Sequence, residues 1–142
     1  MIRKIGLLLL AFCLSPVLAG AQQATIVGHW YGTDTQQKPG YLIHWIGEYT
    51  EDGRYRIQFE SFQNCALISR DLHEGHWSME GGNIQALKLD FYNGLPNGST
   101  TRYEILEVVS DHLRYRSTRT GYAYQSKRVD GAFTFPACGP AS

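Results

Sequence analysis

The 142-residue sequence predicts an all-β fold, an antiparallel up-and-down β-barrel of about eight strands, on three observations. From Ile26 to Val129, apolar and polar side chains alternate with a period of two in segments rich in Tyr, Thr, Val and Ile. Turn residues punctuate these segments about every ten positions. No stretch after the N-terminal apolar run repeats with the period of a helix.

The expected strands are Ile26–Asp34, Tyr41–Thr50, Tyr55–Phe62, Ala66–Arg70, Glu74–Met79, Ile84–Tyr92, Thr101–Val109, Leu113–Thr118 and Tyr122–Val129. Turn signals lie between them: Lys38-Pro39-Gly40, Glu51-Asp52-Gly53, Glu80-Gly81-Gly82-Asn83, the run from Asn93 to Gly98, Ser110-Asp111 and Thr120-Gly121. Side chains alternate between the faces of a strand, so Tyr55, Ile57 and Phe59 should point inward while Arg54, Arg56, Gln58 and Glu60 meet water. Leu87, Leu89 and Phe91 repeat the pattern against Lys88 and Asp90, as do Leu113 and Tyr115 against Arg114 and Arg116. The phase breaks at Ile105-Leu106, as a bulge or a strand buried on both faces would require. Connections this short favour sequential hairpins, and a meander of eight or nine strands hides its edges best by closing on itself. A barrel of that size is either filled by its own side chains or just wide enough for one small ligand.

Residues 1–21 read as an export signal: Arg3 and Lys4, an apolar run from Ile5 to Leu14, then the small-residue site Ala19-Gly20-Ala21. Residues 22–142 then form one domain, expected in the periplasm or outside the cell. The apolar run is shorter than the roughly 20 residues that span a bilayer, so no stable membrane insertion is expected. Cys13 lies inside that run, which argues against a lipid anchor. Loss of Arg3 and Lys4 takes the 13 basic residues to 11 against 13 acidic ones, a formal charge of −2. The signs are interspersed, so a nucleic-acid partner, which favours a concentrated basic patch, is not expected. With Cys13 removed, Cys65 and Cys138 are the remaining thiols, and an exported pair of this kind is expected to form a disulfide.

The segment Ile26-Val27-Gly28-His29-Trp30-Tyr31-Gly32 carries a G-x-W signature. Glu74-Gly75-His76-Trp77 through Asn83-Ile84, the strand to Tyr92, Tyr103-Glu104-Ile105, Leu113-Arg114-Tyr115 and Tyr122 to Arg128 continue a pattern of aromatic strands and Gly-Asn turns. In these features the chain resembles small exported bacterial lipocalin-like domains of the calycin type. The resemblance implies that Trp30 closes one barrel end beneath an Arg of the last strand, best matched by Arg128, held by cation–π attraction and stacking. It also implies an interior that binds a small molecule. Gly-His-Trp occurs twice, at Gly28 and at Gly75, 47 residues apart, and because the following residues differ it is read as coincident strand chemistry rather than as two similar halves.

The histidines His29, His44, His73, His76 and His112 are the obvious candidates for metal or acid–base chemistry. His73 and His76, three apart, fall on opposite faces of a regular strand and chelate poorly as a pair. His44 shares a face with Glu48, and Glu74 with His76, but a metal needs three or four converging ligands, so solvated or edge-packed histidines are expected and no metal or other cofactor is predicted. No nucleophile elbow or other local motif marks a catalytic site, and none is predicted. The tyrosines and tryptophans say more. Their polar tips need partners when buried, which suits an amphipathic or carbonyl-bearing ligand better than a plain fatty chain. The expected lining is Trp45, Tyr55, Ile57, Phe59, Leu87, Leu89, Tyr103, Tyr115 and Tyr124. Three functions therefore compete: a barrel binding a small apolar or amphipathic molecule, which is preferred; a filled barrel serving as an interaction or inhibitor module through loops such as Asn93 to Thr100, its protein partner unspecified; and an enzyme with a site dispersed around the mouth.

Overall fold

The structure, a computed structural model, describes residues 26–138. The export signal assigned to residues 1–21 lies outside the described residues. Among the described residues there are nine strands: β1 (Gly28–Asp34), β2 (Tyr41–Tyr49), β3 (Arg54–Gln63), β4 (Ala66–Glu80), β5 (Ile84–Tyr92), β6 (Leu95–Pro96), β7 (Thr100–Val108), β8 (His112–Ser117) and β9 (Ala123–Val129). Each strand pairs antiparallel with its sequence neighbour, except that β7 skips the two-residue β6 and pairs with β5. The pairing of β9 with β1 and of β4 with β5 closes eight strands into a barrel, with β6 an appendage on β5. The all-β up-and-down barrel expected from the alternation is therefore the fold.

Two of the expected strands are one. Ala66–Arg70 and Glu74–Met79 run together as the 15-residue β4, because Asp71, Leu72 and His73 stay paired with Phe59, Gln58 and Ile57 of β3. The phase break in β7 is a bulge, with a register shift between Ile105 and Glu107. A second bulge lies in β5, where Glu74 faces Phe91 but Gly75 faces Leu89, leaving Asp90 as the extra residue. Gly75 permits it, since a Cβ there would run into the Lys88 carbonyl.

Antiparallel order sorts the loops onto two ends. Segments 50–53, 81–83 and 109–111 share one end with the start of β1; segments 35–40, 64–65, 93–99 and 118–122 share the other. The first end is sealed by a buried cluster of Ile26, Trp30, Ile105 and Leu113. Trp30 is 1% exposed, its Nε1 donates to the Ile26 carbonyl at 2.8 Å, and the Arg128 guanidinium lies 4.2 Å from its ring centroid. Arg128 also donates from Nε to the Ser110 carbonyl and from Nη1 to the Val27 carbonyl, at 2.7 and 2.8 Å, so one side chain joins three segments across this end. Trp77 supports the same end, donating from Nε1 to the Thr50 carbonyl at 3.0 Å. The two Gly-His-Trp copies thus serve one end from strands of opposite direction, β1 leaving it and β4 arriving. Rotation about the barrel axis does not relate them.

Beyond β9 the chain turns at Asp130, which accepts from the amides of Ala132 and Phe133, and runs as a strap over the outer surface. Phe133 packs on Tyr31 of β1 with ring centroids 5.0 Å apart, and Phe135 stacks on His44 of β2 at 4.2 Å. The Cys65–Cys138 disulfide anchors the end of the strap to the β3–β4 turn. His44 is consequently 2% exposed, a departure from the solvated or edge-packed position expected of the histidines. Its ring nitrogens meet Glu60 Oε1 at 3.0 Å and the Tyr31 hydroxyl at 3.3 Å. Glu60 receives Arg70 Nε at 2.8 Å, and the Arg70 guanidinium, followed by His44, holds its carboxyl below the usual carboxylate range.

Candidate functional site

The barrel is not filled. An interior cavity of about 140 Å³ is walled by Ile43, Trp45, Tyr49, Ile57, Phe59, Leu87, Leu113 and the tyrosines Tyr103, Tyr115 and Tyr124, with Asp34, Gln37 and Gln85 as its other polar members. Most of these sit at alternate positions of their strands, as the pleat requires: Ile57 and Phe59 on β3, Gln85 and Leu87 on β5, Leu113 and Tyr115 on β8. Space for the Trp45 ring comes from Gly32, its cross-strand partner, where a Cβ would collide with the indole.

Seven of the nine side chains expected to line the interior do so: Trp45, Ile57, Phe59, Leu87, Tyr103, Tyr115 and Tyr124. Tyr55 is buried in the core cluster with Trp45, Ile57, Trp77 and Leu87 but stands outside the cavity wall. Leu89 lies next to the Asp90 bulge, half-buried and likewise outside the wall. Tyr103 and Tyr115 meet edge-on with centroids 5.3 Å apart, and Tyr115 and Tyr124 lie at 5.5 Å, so three rings form one continuous side. Trp45 faces Tyr124 edge-on at 6.0 Å and donates from Nε1 to Ser126 Oγ at 3.2 Å.

The polar lining was not foreseen, and it is unevenly placed. Asp34, at the end of β1, and Gln37, in the following loop, lie toward the open end. Asp34 is buried and accepts from the Gln36 amide at 2.8 Å and from Gln37 Nε2 at 3.2 Å. Gln85 is the second residue of β5, near the sealed end, between Met79 of β4 and Tyr103 of β7. It is 2% exposed, and its Nε2 is the buried side-chain polar atom that has no hydrogen-bond partner among the described residues. In the sequence, Gln85 shares a parity with Leu87 and Leu89, the signal that would have turned it inward.

Burial governs the electrostatics of the wall. It pushes the hydroxyls of Tyr49, Tyr103, Tyr115 and Tyr124 above the ordinary tyrosine range, with neighbouring tyrosines adding to the effect at Tyr49, Tyr103 and Tyr115 and Asp34 adding to it at Tyr124. The interior is therefore an aromatic chamber of neutral hydroxyls with a carboxylate toward its mouth.

The remaining histidines are dispersed. His29 lies 3.7 Å from Glu48, His76 contacts Asp90 at 2.5 Å, and His112 lies between Glu107 and Asp111 at 2.9 and 3.1 Å. His73 faces Phe59 and Tyr92 with ring centroids 4.7 and 5.1 Å away, and burial lowers its pKa against the opposing pull of Asp71. Among the described residues no three His, Cys, Asp or Glu side chains converge as a metal site. Among them, too, no helix is long and apolar enough to cross a membrane.

Comparison of the sequence with protein-family models and with curated proteins found no match.

Proposed function

We propose that this is an exported lipocalin-like protein that takes one small apolar or amphipathic molecule into its barrel. The observation that carries the reading is the unfilled interior: a cavity of about 140 Å³, sealed at one end by Trp30 and Arg128 and walled mainly by aromatic and aliphatic side chains. Its size compares with an engineered apolar cavity of about 150 Å³ that stays dry and takes up benzene. The Trp–Arg closure is the feature the lipocalin resemblance leads one to look for, and the Cys65–Cys138 bond suits an oxidising compartment such as the periplasm. The reading involves no catalytic step, no nucleic acid and no insertion into a membrane.

Native mass spectrometry of protein purified from its own envelope fraction, followed by denaturation and organic extraction, tests it. The expected result is a stoichiometric small molecule released on unfolding. A bare mass in every preparation would move the weight to an interaction module built on the segment Asn93 to Thr100, which holds Leu95 at 68% exposure and follows Phe91, near the end of β5, at 46%.

A further inference from the structure

An unpartnered donor at the sealed end of an apolar chamber is a statement about what the chamber accepts. Leaving a buried N–H without an acceptor costs the desolvation of that group, and almost all such groups in folded proteins are satisfied. Gln85 lines the cavity, is 2% exposed, and its Nε2 has no hydrogen-bond partner among the described residues. Two other polar groups of the wall are already engaged: Trp45 Nε1 with Ser126, and Asp34 with Gln36 and Gln37.

Resting on the interior-site reading above, we infer that the ligand is a neutral, ring-sized molecule carrying a hydrogen-bond acceptor, such as an aryl carbonyl, delivered oxygen-first to Gln85 Nε2. Three features select this class. The volume admits about one six-membered ring with a short substituent and excludes a long acyl chain. The walls offer aromatic faces and edges, from Trp45, Tyr103, Tyr115 and Tyr124, to a flat guest. The Asp34 carboxylate, buried toward the entrance, repels a second carboxylate, so organic acids of the same size are disfavoured. Gln85 would then discriminate as sites with buried polar groups do: a guest of the same shape without the acceptor leaves the amide unpaired.

The experiment compares acetophenone with isopropylbenzene, which has the same outline without the oxygen, by ligand-observed NMR or calorimetry on the full disulfide-bonded protein. Acetophenone should bind about tenfold more tightly, the size of one hydrogen bond. It should also shift the side-chain amide protons of Gln85 downfield. In Gln85→Met, which keeps the length but removes the donor, the preference should fall to about onefold, and the empty protein should melt at a higher temperature because the orphan donor is gone. Equal binding of both probes by the native protein, with no change at the Gln85 amide, overturns the role of Gln85 while leaving an interior site intact. Failure of both probes to bind at millimolar concentration overturns the interior site itself. The two probes on native protein decide the question even if Gln85→Met does not fold.

Discussion

Gly28 shows how much of the closed end depends on a missing atom. Its φ is +133°, a conformation that side chains rarely adopt, and a Cβ there would run into the Arg128 guanidinium that covers Trp30. Gly28→Ala should therefore combine backbone strain with displacement of Arg128, for a loss of about 2–3 kcal/mol. Gly82→Ala is the milder comparison: φ is +62°, in the left-handed region that alanine enters at modest cost, and a Cβ meets nothing within 4 Å, so the loss should be about 1 kcal/mol. Chemical denaturation of both variants checks this, and equal losses would mean that neither the extra strain at Gly28 nor the Arg128 contact contributes. At this scale the apolar residues of the site were legible in the sequence and the polar ones were not. Trp45, Ile57, Phe59 and Leu87 announce themselves because an apolar residue in an alternating strand has one face to choose. Gln85 and Asp34 were silent because a polar residue in a strand is ordinarily read as solvated, and only its parity relative to Leu87, or its place next to a loop, hints otherwise.

The strap over residues 130–138 is the element whose role the sequence conceals. Phe133 and Phe135 alternate like a strand, yet no ladder pairs them; what holds them is Tyr31, His44 and the disulfide to Cys65, contacts that local spacing does not encode. The length of β4 was hidden for a related reason. Arg70-Asp71-Leu72-His73 has the polarity of a turn, but Asp71 accepts from the Tyr92 hydroxyl at 2.8 Å and from Asn93 Nδ2 at 3.0 Å, so its charge is accommodated within a continuous strand. Because the strap lies outside the barrel, the double replacement Cys65→Ser with Cys138→Ser should uncouple stability from binding. Releasing a 73-residue separation should lower stability by about 2–4 kcal/mol in urea. Exchange of the Tyr31 and His44 region with solvent should rise, while affinity for acetophenone stays within about twofold, since Tyr31 and His44, on which the strap's rings pack, are not part of the cavity wall. A parallel loss of binding would show that the strap shapes the interior.

At the scale of the whole barrel, alkaline unfolding is a property of the buried tyrosines, three in the cavity wall and Tyr55 in the core beside it. Tyr49, Tyr55, Tyr103 and Tyr115 all have hydroxyls raised above the ordinary value of 10.0, in each case chiefly by burial. An unfolded chain loses these protons near pH 10 while the folded barrel keeps them, so the unfolded state binds fewer protons and stability falls as pH rises above about 10. Ionisation of this set, followed by absorbance near 295 nm, should accordingly coincide with loss of the near-ultraviolet circular dichroism of the aromatic core. Gradual ionisation centred near pH 10 with the dichroism intact would mean that water already enters the chamber freely. The same titration reports on ligand, because a molecule that binds the folded barrel and not the unfolded chain stabilises it in proportion to the logarithm of its concentration. Saturating acetophenone should move the onset of ionisation to higher pH, and isopropylbenzene should move it less by an amount that reflects the missing bond to Gln85.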